Sequence, residues 1–224
     1  MRIRCAVSFV LFLAAAAASA VAQDKTIDDF TTGPYQSPTF KAGTIHQSTQ
    51  TGSMLGGTRS TNMSVCAPAL CPSQNPYKQG NSYGYFVANA NRPAAMVQTA
   101  GFDAAPRIDM GYGGGSPMNE DFSGFQKIRV NFKGLTQPLN FNIQLFTGTA
   151  YAQGGCNMPA YPGDFSAELP LDKFVQNAGF SFGDVTTMNV IFQSSSAIGG
   201  VSFAITSIEL SNTTKSGLVI DCHY

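Results

Sequence analysis

The sequence has no tryptophan, only two histidines (His46 and His223), and charged residues at just 12% of its length. Each shortage excludes something. The charged fraction is about half that of an ordinary soluble domain, and lysine plus arginine balance aspartate plus glutamate at 13 each. No basic run occurs, so the electrostatic footprint of a nucleic-acid-binding protein is missing. With two histidines and no C-x-x-C pair, a thiolate zinc centre lacks its usual ligand spacing. Strand–helix alternation is absent, which argues against a doubly wound parallel sheet. Beyond the N-terminal region no apolar run is long enough to span a bilayer. Asn, Gln, Ser and Thr must therefore cover the surface, as suits an exported β protein.

What is present begins with an export signal. Arg2 and Arg4 form a basic start, CAVSFVLFLAAAAASA is an apolar stretch too short for a comfortable membrane span, and Ala20-Val21-Ala22 is a small-residue cleavage site. The expectation is a signal peptide over 1–22 and a single domain over 23–224, secreted or periplasmic. No cysteine follows the cleavage site, so no lipoprotein anchor is indicated. Four cysteines remain after cleavage, Cys66, Cys71, Cys156 and Cys222, an even number that reads as two disulfides in an exported chain. Three pairings are possible. The favoured one joins Cys66 to Cys71 across a proline-rich loop and Cys156 to Cys222, tying the C-terminal tail to a long loop.

The dominant period is two. Ile128, Val130 and Phe132 alternate with Lys127, Arg129, Asn131 and Lys133, and Leu139, Phe141, Ile143 and Leu145 alternate with Asn140, Asn142 and Gln144. Each stretch predicts a strand with one buried and one wet face. The link Gly134–Pro138 predicts that the two form a hairpin. Further strands are predicted at 26–30, 59–65, 83–89, 95–100, 106–112, 165–171, 187–193 and 201–205, with Ile208 and Leu210 continuing the last. Turn signals about every ten residues indicate an antiparallel sandwich or barrel. Only 171–179 has room for a helical turn or two, ending at Gly179. Three segments read as loops: 66–80 with Pro68, Pro72 and Pro76, the glycine-rich 111–121, and 149–163 with Tyr151, Cys156 and Tyr161.

Catalytic patterns are sparse. Gly80-Asn81-Ser82-Tyr83-Gly84 fits G-x-S-x-G, but that motif needs a strand before the serine and a helix after it. Here a proline-containing loop precedes Ser82 and a strand-like segment follows, so a turn is the simpler reading. Asp103, Asp109, Glu120, Asp121, Asp164, Glu168 and Asp172 could supply the carboxylate pair of a glycosidase, although acidic loop residues ordinarily just solvate turns. Gly113-Gly114-Gly115 has no lysine where a phosphate loop requires one. The better candidates are Tyr77, Tyr83, Tyr151 and Tyr161, in or beside loops, where a ring can stack on a ligand while its hydroxyl bonds outward.

The order of the segments DFSGFQKIRVNFKG, LNFNIQLF, AELPLDKF, DVTTMNVIFQ and FAITSIEL, opened by IDDF and closed by SIEL, resembles the galactose-binding-like β-sandwiches, which include carbohydrate-binding modules and the CIA30-like domains. The likeness covers most of residues 26–210. It implies an all-β, antiparallel jelly-roll β-sandwich with little helix, and an extracellular glycan as partner. Sugar sites of such domains often use exposed tryptophan; here tyrosine must stand in. The resemblance also implies a structural calcium near the chain ends, for which Asp28, Asp29 and Glu209 could supply oxygens; no other cofactor is expected. The functional expectation is a non-catalytic module that binds carbohydrate. The alternatives are a structural or adhesion component of the cell surface and a carbohydrate-active enzyme.

The run GSMLGGTRS (52–60) could be a ligand cradle or a fold element. A phosphate cradle needs a helix N-terminus or a lysine after the glycines, whereas RSTNMSV reads as strand. Gly56-Gly57 is therefore read as a bend with positive φ or a close backbone approach, with Met54 and Leu55 tucked inward. Arg59 is placed with its stem on the surface and its fork on Asp28 or Asp29, and Gly57→Val is expected to harm folding.

Overall fold

The structure is a computed structural model that describes residues 24–37, 40–41, 45–65, 83–89, 92–100, 106–193 and 201–223. In chain order the strands are β1 (Lys25–Asp28), β2 (Tyr35–Gln36), β3 (Phe40–Lys41), β4 (Ile45–Thr51), β5 (Thr58–Val65), β6 (Tyr83–Asn89), β7 (Arg92–Ala100), β8 (Pro106–Tyr112), β9 (Lys127–Leu135), β10 (Leu139–Thr147), β11 (Ala150–Met158), β12 (Tyr161–Pro170), β13 (Val175–Gln176), β14 (Thr187–Gln193), β15 (Ser202–Ser211) and β16 (Leu218–Asp221). They form two sheets. The first runs β16-β12-β9-β15-β7-β6-β2, with β1 also on β15 and β3 also on β6; the second runs β13-β11-β10-β14-β8-β5-β4. The chain is thus the all-β jelly-roll sandwich that the strand order implies. Pairing is antiparallel except between β12 and β16, which run parallel. Helix among the described residues is limited to short 3-10 turns at Leu171–Lys173 and Phe182–Asp184. No helix among them is long and apolar enough to cross a membrane.

Alternation drives the packing. Successive side chains of a strand point to opposite faces, so Ile128, Val130 and Phe132 of the first sheet meet Phe141, Ile143, Leu145, Val190 and Phe192 of the second in one core. Phenylalanine fills the volume that tryptophan does not. Phe132 stacks on Phe165 at 4.7 Å within the first sheet, Phe141 stacks on Phe192 at 5.0 Å within the second, and Phe132 meets Phe192 edge-on at 5.8 Å. Offset and edge-on pairs of this kind add stability beyond their buried area.

Three sequence expectations are corrected. The stretches 127–135 and 139–147 do not form a hairpin: β9 and β10 lie in different sheets. Both carry large apolar faces, and these satisfy each other across the sandwich rather than side by side. The link is fastened to β15 instead, with the Thr136 amide donating to the Ser202 carbonyl at 3.0 Å and the Ser202 amide to the Thr136 hydroxyl at 2.8 Å. The segment 149–163 is not a loop, since β11 and the start of β12 occupy most of it. The core face of β11 is Ala152, Gly154 and Met158, small for a strand because Phe174 lies over it; a Cβ at Gly154 would sit 2.9 Å from that ring. Arg129 and Asn131 are not wet but buried, because Asp24 and Thr213 reach over Arg129 while Ser166, Ser207 and Glu209 surround Asn131.

The GSMLGGTRS run is a fold element. Gly56 and Gly57 have φ of +78° and +68°, the Leu55 amide donates to the Ile27 carbonyl at 2.8 Å, and Met54 is buried. Arg59 does pair with Asp28, at 2.6 Å, but its stem is fully buried rather than on the surface.

Candidate functional site

The two outer faces differ. On the first sheet, Arg129 is buried in a polar network. Its Nε donates to Glu168 at 2.7 Å, and its other nitrogens reach the Asp24 carboxylate at 3.2 Å and the Thr213 carbonyl. Lys127 also donates to Glu168, at 2.6 Å, and Asn131 contacts Ser207, Glu209 and Ser166. Around Arg129 this face is covered by its own side chains and by residues 211–213, and smaller clefts of about 130 and 450 Å³ lie beside Asn131 and Glu168.

The outer face of the second sheet carries a cleft. Its strands place polar side chains in rows across the sheet. One row is Asn157, Asn140, Gln193, Arg107 and Ser64; the next is Gly155, Asn142, Ile191, Asp109 and Asn62; the third is Gln153, Gln144, Asn189, Gly111 and Ser60. A fourth begins with Tyr151, Phe146 and Thr187. Over the β11–β10–β14–β8 part of this face lies a cleft of about 930 Å³, lined by Arg107, Asn140, Phe141, Asn142, Gln144, Gly155, Cys156, Asn157, Ile191, Gln193 and His223. Two positions of these rows are glycine, Gly155 and Gly111, and at Gly111 a Cβ would fall 2.6 Å from the Ser60 hydroxyl oxygen.

The electrostatics are muted. Arg107 Nε donates to Asp109 at 2.9 Å, and its Nη1 donates to Gln193 Oε1 at 3.0 Å. The charge of Arg107 is thus met by Asp109, two residues along the same strand, and the remainder is mostly amide. An amide presents a donor and an acceptor side by side. Asn140, Gln144 and Asn157 make no side-chain hydrogen bond to any described residue, so both functions are available to a ligand.

Of the expected tyrosines, the structure brings one to this face. Tyr151 is exposed at its edge, 6.4 Å from Phe146 between ring centroids. Tyr161 opens β12 on the first sheet and sits edge-on to Phe165 at 5.9 Å. Tyr83 opens β6, also in the first sheet, where its backbone pairs with Ala100 and Lys41. Tyr77 lies outside the described residues, as do Ser82, Cys66 and Cys71. Cys156 and Cys222 are disulfide-bonded to each other. The residues that sequence reasoning missed are the amides Asn140, Asn142 and Gln144. They were read as the wet face of a strand, and the signal available was their repetition at every second position.

The carboxylates Asp28, Asp29 and Glu209 do not form one oxygen cage. Asp28 takes donors from Arg59, the Tyr112 hydroxyl and the Phe30 amide. Asp29 Oδ1 closes a turn on the amide and hydroxyl of Thr31 at 3.0 and 2.6 Å. Burial raises the Asp29 pKa, but these hydrogen bonds outweigh it and hold the carboxyl below its usual value. Glu209 is taken by Asn131 and Ser207. A calcium ion needs six to eight oxygens, and among the described residues no three acidic, histidine or cysteine side chains gather to start such a set.

No protein-family model matches the chain, and no curated protein is similar to it in sequence. Among solved structures it is similar to the family 11 carbohydrate-binding module from Clostridium thermocellum in complex with a β-1,3-1,4-mixed-linked tetrasaccharide. The identity is 13% and the TM-score 0.42, over 86% of this chain and 97% of that one. It is also similar to an exo-β-agarase, at 11% identity and a TM-score of 0.40, over 85% of this chain and 25% of that one. A loop-swap mutant of Necallimastix patriciarum Xyn11A is similar at 11% identity and a TM-score of 0.37, over 79% of this chain and 100% of that one.

Proposed function

We propose that the chain is an exported, non-catalytic module that binds extracellular carbohydrate across the outer face of its second sheet. The observation that carries this reading is the amide-lined cleft of about 930 Å³ over β11–β10–β14–β8. A sugar hydroxyl both donates and accepts a hydrogen bond, and so does an Asn or Gln side chain. Neighbouring strands lie about 4.8 Å apart, so the row Asn157, Asn140, Gln193 and Arg107 offers a bonding group at a regular interval. Ile191 supplies an apolar spot on the floor, and Tyr151 with Phe146 supplies rings at the rim on which a sugar face can stack.

The position of the acids supports a binding role over hydrolysis. A glycosidase needs two carboxyl groups about 5–10 Å apart across the scissile bond. On the open face the described rows contain Asp109, which is committed to Arg107. Glu120 lies in the turn region before β9 and pairs with Lys25. Asp164 and Glu168 are on the first sheet and Asp172 is in a 3-10 turn; Asp103 lies outside the described residues.

Affinity electrophoresis against a panel of soluble polysaccharides tests the reading. At least one polysaccharide should retard the protein, and Asn140→Ala with Gln144→Ala should abolish the retardation. Indifference to every polysaccharide would overturn it, and release of reducing ends would favour the enzyme instead.

A further inference from the structure

The cleft has a wall that comes from outside its sheet. We propose that the Cys156–Cys222 bridge holds the C-terminal tail against the cleft and that His223 is a ligand-contacting, specificity-determining residue there; this rests on the carbohydrate reading of the same cleft. β16 runs along the outer edge of the first sheet, parallel to β12, and its pairing ends at Asp221 opposite Glu168. The Cys222 amide then donates to the Glu168 carbonyl at 2.8 Å. The Cys222 side chain is buried and crosses to Cys156 of β11 in the second sheet, with the two Cα atoms 4.8 Å apart. Cys156 lies between Gly155 and Asn157, both lining residues, and His223 follows directly as an exposed residue lining the same cleft. No strand pairing holds His223; the bridge one residue before it fixes its place.

Its chemistry differs from the rest of the lining. Arg107 is answered by Asp109 and Gln193, so His223 is the ionisable lining group not already matched by another. Its ring makes no hydrogen bond or ion pair with the described residues. An imidazole offers a donor and an acceptor on a flat ring, suited to a sugar hydroxyl at the Asn157 end of the first row.

The test uses the full exported chain and whichever panel polysaccharide retards it in affinity electrophoresis, with affinity then measured by calorimetry. His223→Ala should weaken binding about tenfold, the worth of one well-made hydrogen bond, with the thermal midpoint unchanged because the residue is exposed. His223→Gln should restore part of the loss. A Cys156→Ser, Cys222→Ser double variant should lose as much as His223→Ala, and adding His223→Ala to it should cost nothing further. Wild-type affinity in His223→Ala, while Asn140→Ala fails to bind, overturns this inference and leaves the carbohydrate reading standing. Retardation by no polysaccharide overturns both.

Discussion

Arg59 is an arginine with no exposed surface, and every polar group around it is used. Its Nη1 holds Asp28 at 2.6 Å, Nη2 the Gly33 carbonyl at 2.9 Å and Nε the Gln50 amide oxygen at 3.1 Å, while its guanidinium lies 5.2 Å from the Phe30 ring centroid. Removing one partner of such a pair strands the other charge away from water. Arg59→Met should therefore lower stability by about 3–5 kcal/mol, read from the urea midpoint. Tyr112 donates to the same carboxylate at 3.0 Å. Burial, then the Asp28 charge, drives its pKa well above the ordinary 10 even though Arg59 pulls the other way. In an alkaline absorbance titration one tyrosine should stay protonated until the protein unfolds. The glycine pair beside this cluster splits into two cases. A side chain in the left-handed region costs about 1–2 kcal/mol, which sets the expected loss for Gly57→Ala, where a Cβ would meet nothing within 4 Å. At Gly56 a Cβ would fall 2.9 Å from Met118 and 3.1 Å from the Gly113 amide. Gly56→Ala should thus be the more damaging, and equal urea midpoints for the two variants would contradict that account.

At the scale of elements, β1 is clasped to β15 rather than merely paired. Asp24, just ahead of β1, accepts from the Asn212 amide at 3.0 Å and the Thr213 hydroxyl at 2.5 Å and faces Arg129. Burial raises its pKa, but the Thr213, Asn212 and Ser211 hydrogen bonds and the Arg129 charge outweigh it and bring the carboxyl down to about 2. A carboxyl depressed in the folded state stabilises above its unfolded pKa, and that contribution disappears as the group protonates. The clasp should hold at pH 5 and be lost as pH falls from about 4 toward 2. Asp24→Asn should lower the thermal midpoint at pH 5 and converge with the wild type near pH 2, so a pH-independent difference would argue against the clasp. The Cys156–Cys222 bridge spans 66 residues. Chain-entropy reasoning gives about 4 kcal/mol for a loop of that size, the loss expected in urea for the double serine variant.

At the scale of the molecule, two sheets of the same architecture do different things with their outer faces. The first sheet ties the middle of its face into the network of Arg129, Glu168 and the Asp24 clasp, while the second carries a cleft with a polar floor. Asn140→Ala and Gln144→Ala should each change the stability measured in urea by less than about 0.5 kcal/mol, as surface changes do, while losing glycan affinity. A matching loss of stability would show that these amides support the sheet instead. Much of this layout was legible in the chain. Alternation marked β9, β10, β12 and β15, the glycine pair marked the bend before β5, and the cysteine spacing suggested Cys156–Cys222. β4 was not legible, because IHQSTQT has polar residues on both faces and its inner Gln50 bonds to Arg59 and Thr61. β11 was hidden because its core face is Ala, Gly and Met beneath Phe174.

The sequence by itself determined the strand periods, the phenylalanine-rich core, the sparse charge and the amides at every second position of β10, because each is a local pattern of side-chain chemistry. Only the tertiary structure decided which strand faces which. A period of two says that a strand has two faces but not which sheet it joins, so β9 and β10 could be told apart only once their apolar faces met across the core. The same decision opened the face that carries Asn140, Asn142 and Gln144 and set His223 beside it, since a row across strands far apart in sequence exists only after the sheet has formed.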